Sequence, residues 1–100
     1  MISLTSKAVE KFNETINKSD NPESQMLRVS FEGFGWGGPE FELTLDELKG
    51  ENDIIIESNG VKIVYDSEFE YYLNDAVIGY SDNWFSRGFT ISGRAVSSCS

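Results

Sequence analysis

Between Met26 and Asp46 the chain passes through Gly33-Phe34-Gly35-Trp36-Gly37-Gly38-Pro39, a run with four glycines in six residues. Glycine loses more backbone freedom on ordering than any other residue and has no side chain to pack. Such a run cannot be an ordinary strand interior. The flanks are different. Leu27, Val29 and Phe31 fall on one side of an extended chain, with Arg28, Ser30 and Glu32 on the other. Beyond the glycines, Phe41, Leu43 and Leu45 alternate with Glu40, Glu42, Thr44 and Asp46. The spacing predicts two strands, each with one wet face, joined by the glycine segment and able to pair. A second β unit follows. Ile54-Ile55-Ile56-Glu57 and Val61-Lys62-Ile63-Val64-Tyr65 are separated by Ser58-Asn59-Gly60, and Asn-Gly between β-rich runs is a strong hairpin signal.

Helical spacing is confined to two places. Ala8, Val9, Phe12 and Ile16 recur at three- and four-residue steps and predict a helix from Ser6 to Lys18. Thr5 or Ser6 can cap it, Glu14 and Lys18 can pair four residues apart, and Pro22 forbids continuation. Ser67 and Glu70 fit a capping box, with Asp66 as a competing cap, for a short helix over Ser67–Leu73 that buries Phe69, Tyr72 and Leu73. Ala76–Tyr80 and Phe89–Ile91 read as late strands. Asp82–Gly88, which holds Trp84 and Phe85, reads as an irregular loop, and residues 92–100 as a flexible polar tail. The expectation is a single, mainly β domain over residues 1–100 with helices on the outside.

Composition narrows the function. Lys and Arg number 8 against 17 Asp and Glu, a net charge of −9, which repels phosphate backbones and anionic membranes and suits a basic partner. Neither nucleic acid nor membrane is expected as a partner. No apolar run approaches the roughly 20 residues of a membrane span, and the start does not read as a signal peptide. There is no histidine, which removes His-based catalytic triads and zinc sites. The one cysteine, Cys99, cannot form an intrachain disulfide, which fits a reducing, cytoplasmic location. The acidic residues from Glu40 to Glu57 do not match a calcium loop, and Asp46 and Glu47, adjacent in a strand, point apart and make a poor acid/base pair. The glycine run lacks the Lys-Ser/Thr ending of a phosphate loop and leads into a strand. No catalytic set emerges, and the chain is not expected to be an enzyme. Arg28 is expected to form a surface ion pair with Glu32 or Glu42.

The order of these pieces resembles the HesB/IscA-like family, the A-type iron-sulfur cluster carriers. The matching stretches are Ile2–Ala8, Leu27-Arg28-Val29 with Gly33, Gly35, Gly38 and Phe41-Glu42-Leu43, Asn59–Lys62 with Val64-Tyr65-Asp66, Ile78–Asp82, and Gly88–Ile91. The resemblance implies a distorted β-sandwich of mixed sheets with an N-terminal helix and a second short helix, in homo-oligomers or with a protein partner. It also implies a role in iron-sulfur cluster biogenesis. Family members carry one cysteine in the glycine loop and a C-terminal Cys-Gly-Cys. Carried onto this chain, the loop position is Trp36, the first tail cysteine is Cys99, and the second would fall beyond Ser100.

Iron in a sulfide cluster takes thiolate ligands, whereas an indole nitrogen is a donor only and carboxylates are hard ligands. The expectation is therefore that no cluster is held stably and that iron or a cluster is handled, if at all, transiently through Cys99, two copies of which meet only across a dimer. Cys99 has a second reading as a free thiol in a frayed end. Trp36 likewise has two readings. It is either a clamp that orders the glycine loop or an exposed recognition knob that forms a binding patch with Phe34, Trp84 and the loop glycines Gly35, Gly37 and Gly38. The alternative function is thus a non-catalytic protein-interaction module on the same scaffold.

Overall fold

A computed structural model describes residues 2–35, 38–83 and 86–93. The elements are β1 (Ser3–Leu4), α1 (Ser6–Ile16), β2 (Met26–Gly35), β3 (Gly38–Asp46), β4 (Asp53–Ser58), β5 (Val61–Asp66), α2 (Glu70–Leu73), β6 (Val77–Asn83) and β7 (Ser86–Ser92). They form a three-stranded sheet in the order β1-β6-β7 and a four-stranded sheet in the order β3-β2-β5-β4. Both sheets are mixed. β1 runs parallel to β6 and β2 parallel to β5, while the remaining pairs are antiparallel hairpin partners. One apolar core joins the sheets and α1. Leu4, Ala8, Phe12, Leu27, Ile63, Leu73, Ile78 and Ile91 are all buried in it. This is the expected mixed β-sandwich with one long and one short helix.

Local chemistry explains each element. Thr5 Oγ1 accepts from the Ala8 amide at 3.2 Å and starts α1, whose apolar face packs on β6. The helix stops at Ile16, two residues short of the expected end, because the chain turns at Asn17 and Lys18 well before Pro22. Glu14 consequently pairs with Lys11 at 3.7 Å rather than with Lys18, which lies past the last helical turn. At the Asn59-Gly60 turn both residues have positive φ (55° and 81°), the requirement of a two-residue hairpin whose twist matches its strands. At the second helix Asp66 wins the cap. Its Oδ1 accepts from the Glu68 amide at 2.9 Å, so a 3₁₀ turn over Ser67–Phe69 precedes the single α turn of α2.

Two expectations are corrected. Within the stretch expected as an irregular loop, Asp82, Asn83 and Ser86–Gly88 are strand residues, while Trp84 and Phe85 lie outside the described residues. β6 and β7 pair all the way from Val77↔Ser92 to Asn83↔Ser86, with Gly88 at φ 135° absorbing a conformation other residues resist. The ladder outweighs the polar, turn-like composition, and it also carries Ser92, the first residue of the expected tail.

Arg28 does not meet Glu32 or Glu42. Its Nε donates to Asp46 Oδ2 at 2.6 Å, its Nη1 and Nη2 donate to the two carboxylate oxygens of Asp53 at 3.2 and 2.8 Å, and Nη2 also reaches the Leu48 carbonyl at 2.9 Å. The acids are themselves preorganised. Asp46 Oδ1 accepts from the Glu47 and Leu48 amides, and Asp53 Oδ2 accepts from the Gly50 amide. The guanidinium fork thereby ties the 47–52 connection across the outer face of the four-stranded sheet. Val64, at the register position beside Arg28, is fully buried there although its side chain faces away from the main core. The fork needs two carboxylates at its own reach, and Asp46 and Asp53, at the ends of β3 and β4, supply them.

The Arg28 hydrogen bonds hold the carboxyls of Asp46 and Asp53 below the usual 3.8, and those to Asp53 first, then Asp46, push the guanidinium up despite its partial burial. Groups with depressed acid constants stabilise fully above the unfolded value, and that stability is lost as pH falls through the folded ones. Arg28→Ala is therefore expected to cost about 2–3 kcal/mol at pH 7, with the gap from the parent narrowing below pH ~4. Urea denaturation at pH 7 and in acid checks both; a gap independent of pH would contradict the clamp.

Candidate functional site at the glycine hairpin

The hairpin formed by β2 and β3 contains one irregularity, and it decides where the tip side chains go. Phe31 faces Phe41, but the next pair is Gly33 with Glu40, so Glu32 is the extra residue of a β-bulge. Gly33 sits at φ 122°, a conformation natural to glycine alone. Phe34 then pairs with Pro39. With the extra residue in β2, Phe34 and Phe31 come to the same face of the hairpin although they are three residues apart in the chain.

The result is an aromatic cluster. The Phe31 ring stacks on Phe69 with centroids 4.6 Å apart and meets Phe41 edge to face at 5.6 Å, and Phe41 meets Phe69 at 6.0 Å. Phe34 leans edge-on against Phe31 at 5.3 Å and leaves 71% of its own surface in water. A large ring so exposed, set against a packed neighbour, forms an apolar edge. On the opposite face Glu40 folds over Gly35. A side chain at Gly35 would begin within 2.6 Å of the Glu40 carboxyl group, so glycine there leaves room for the acid. Glu32 and Glu42 also meet on that face. Hydrogen bonding to Glu42, then its charge, holds the Glu32 carboxyl above the usual range.

Among the predicted site residues, the structure therefore places Phe34 as an exposed ring, Gly35 beneath Glu40, and Gly38 at the start of β3 paired with Gly35. Trp36, Gly37, Trp84 and Cys99 lie outside the described residues. The supporting rings Phe31, Phe41 and Phe69 were read from the sequence as strand and helix core, not as parts of one site. The signal that could have joined them is Gly33 inside a strand pattern, which marks a bulge and with it the shift of Phe34 onto the Phe31 face.

Among the described residues no group of three or more His, Cys, Asp and Glu is placed to hold a metal ion, and no helix is long and apolar enough to cross a membrane. A separate cavity of about 170 Å³ is lined by Ile2, Ile56, Tyr65, Glu70, Leu73 and Asn74. Burial, then Glu70, pushes the Tyr65 phenol up. The cavity is well below the roughly 300–1,000 Å³ of a small-molecule site.

Two mixed sheets over one core, a capped N-terminal helix and a glycine hairpin define a small, helix-flanked β-sandwich. Comparison with known proteins assigns it. The model of the family described as iron-sulphur cluster biosynthesis matches residues 1–99. The iron-sulfur cluster insertion protein ErpA of Marinobacter nauticus is 35% identical over 95 residues, covering 95% of this chain and 86% of that protein. A solution structure of a protein from Aquifex aeolicus superimposes with a TM-score of 0.66 at 31% identity, covering 91% of this chain and 89% of that one. A crystal structure of IscA with the [2Fe-2S] cluster superimposes with a TM-score of 0.69 at 19% identity over 93% of this chain and 82% of its own, which speaks to the fold. The chain belongs to the HesB/IscA-like iron-sulphur cluster biosynthesis family, and its function is related to cluster biogenesis rather than to catalysis.

Two outcomes test the hairpin. Gly33→Ala is expected to lower stability by about 1–2 kcal/mol through its positive φ even though nothing crowds the new methyl, while Gly35→Ala costs less because the Glu40 carboxyl can swing aside. Thermal melts of the two variants rank them, and the reverse order would contradict the bulge. Because the Glu32 carboxyl is raised, its interaction with Glu42 costs stability as pH rises from the unfolded value of 4.5 through the folded one. Glu32→Gln should accordingly melt higher than the parent at pH 7 and equal to it below pH ~4; melts at the two pH values decide.

Proposed function

We propose that this protein handles iron or an iron-sulfur cluster as transient cargo and depends on thiols from outside its own chain to hold it. The observation that carries the reading is the donor inventory: one cysteine, no histidine and 17 carboxylates in 100 residues. The resemblance sets Trp36 at the loop-cysteine position, where an indole cannot ligate iron. Glu40, over Gly35 at the described end of the hairpin, offers only hard oxygen donors. A symmetric dimer supplies two Cys99 thiolates, and glutathione or a partner protein supplies the remainder. The reading places the protein, as one domain, in the reducing cytoplasm, where a small-thiol pool is at hand.

A second reading is favoured by the exposed Phe34 ring. In it the hairpin tip, with Phe34, Trp36, Gly35, Gly37, Gly38 and Trp84, is a protein-binding patch, and the scaffold serves assembly through association rather than ligation. The two are compatible, since a carrier short of ligands needs a companion that brings them.

Anaerobic reconstitution with iron and sulfide in the presence of glutathione tests the first reading. A visible charge-transfer absorption is expected, and Cys99→Ser should abolish it. An absorption that survives Cys99→Ser, or iron no higher than in a protein-free control, would contradict it.

A further inference from the structure

We infer that the aromatic edge formed by Phe34, Phe31 and Phe69 is a docking surface for a partner-protein segment that presents apolar side chains interleaved with Lys or Arg. The inference rests on the second reading above and adds the chemistry of the partner.

The surface is made by two stretches of chain. β2 and β3 bring Phe31 and Phe34, and the 3₁₀ turn between β5 and α2 brings Phe69. Phe34 is largely exposed, whereas Phe31 and Phe69 are half-buried and stacked on one another, so the edge rests on a packed base. An aromatic anchor has only two side-chain torsions and loses little conformational freedom on binding. Along the two stretches of chain that carry these rings the charge has one sign. From Val29 to Leu48 the chain carries Glu32, Glu40, Glu42, Asp46 and Glu47 and no basic residue. From Ile63 to Ser86 it carries Asp66, Glu68, Glu70, Asp75 and Asp82, again with no basic residue. Glu68 and Glu70, immediately either side of Phe69, are exposed. The one cation nearby in β2, Arg28, is already engaged by Asp46 and Asp53. Glu32 and Glu42 meet on the reverse face of the same hairpin. An acidic or neutral apolar segment would meet this field unfavourably, and a second copy of the chain would bring the same charge to it. A cationic, apolar segment gains from both the ring and the field.

A random 12-residue peptide display library selected on the whole folded protein, with re-synthesised winners measured by fluorescence anisotropy, tests this. Enriched peptides are expected to carry net positive charge and aromatic or aliphatic residues. Their binding should weaken about tenfold with Phe34→Ala and severalfold with Glu68→Lys or on raising salt from about 50 to about 500 mM. Both substituted residues are exposed, and unchanged far-ultraviolet dichroism confirms that the variants fold. Peptides selected without charge bias, yet lost on Phe34→Ala, would overturn the partner chemistry and leave the patch. Peptides insensitive to Phe34→Ala would overturn the patch itself, and with it the reading on which this inference rests. Concentration-dependent self-association that Phe34→Ala abolishes would assign the edge to a second copy and overturn the inference as well.

Discussion

Strand β2 bears on every feature of this molecule that matters. It is the strand that pairs in parallel with β5 and antiparallel with β3, so it holds the four-stranded sheet together from inside. Leu27 and Val29 put one face of it into the core, while Arg28 on the other face fastens the 47–52 connection through Asp46 and Asp53. Four residues after Arg28 the bulge at Glu32 and Gly33 turns the strand's end, and Phe34 emerges beside Phe31 instead of opposite to it. A side chain buried in the core and a ring displayed to solvent are thus set by one strand and one register shift. A bulge of this kind re-aims a side chain at the cost of one unpaired residue.

How much of this was legible in the residues differs by scale. Alternation in Leu27–Phe31 and Phe41–Leu45, helical spacing in Ala8–Ile16 and the Asn59-Gly60 turn are local signals, and each element they imply is present. The two-sheet architecture followed from their order and from the family resemblance. What was not legible depended on contacts distant in sequence. Arg28 selects Asp46 and Asp53, 18 and 25 residues away, over the nearer Glu32, because the antiparallel β2–β3 pairing sets the end of β3 on one side of it and the parallel β2–β5 pairing brings the start of β4 from the other. The length of the β6–β7 hairpin was hidden because Asp82, Asn83, Ser86 and Gly88 have loop-like composition, and only the ladder itself overrides that preference. The cap of the second helix was visible as a competition between Asp66 and Ser67, and geometry settled it for the aspartate.

The candidate site divides along the same line. Phe34 could be named from its place in the glycine run. Its support by Phe31, Phe41 and Phe69 required knowing that β2, β3 and the turn before α2 converge. Family membership says which process the protein belongs to, while the ligand chemistry depends on the donor residues a chain carries. A fold shared with cluster-binding relatives holds a cluster only where soft donors converge, and this chain has a single thiol to contribute. The exposed aromatic edge is the complementary feature, and in the proposed reading it recruits a molecule that supplies what the chain lacks.

The most direct measurement loads the protein with iron and sulfide beside glutathione, then strips the small thiol by anaerobic desalting and assays iron and acid-labile sulfide in the protein fraction. Iron and sulfide that leave with the glutathione are the predicted result. A cluster that travels with the protein in stoichiometric amount, with no thiol but Cys99 present, would contradict the account.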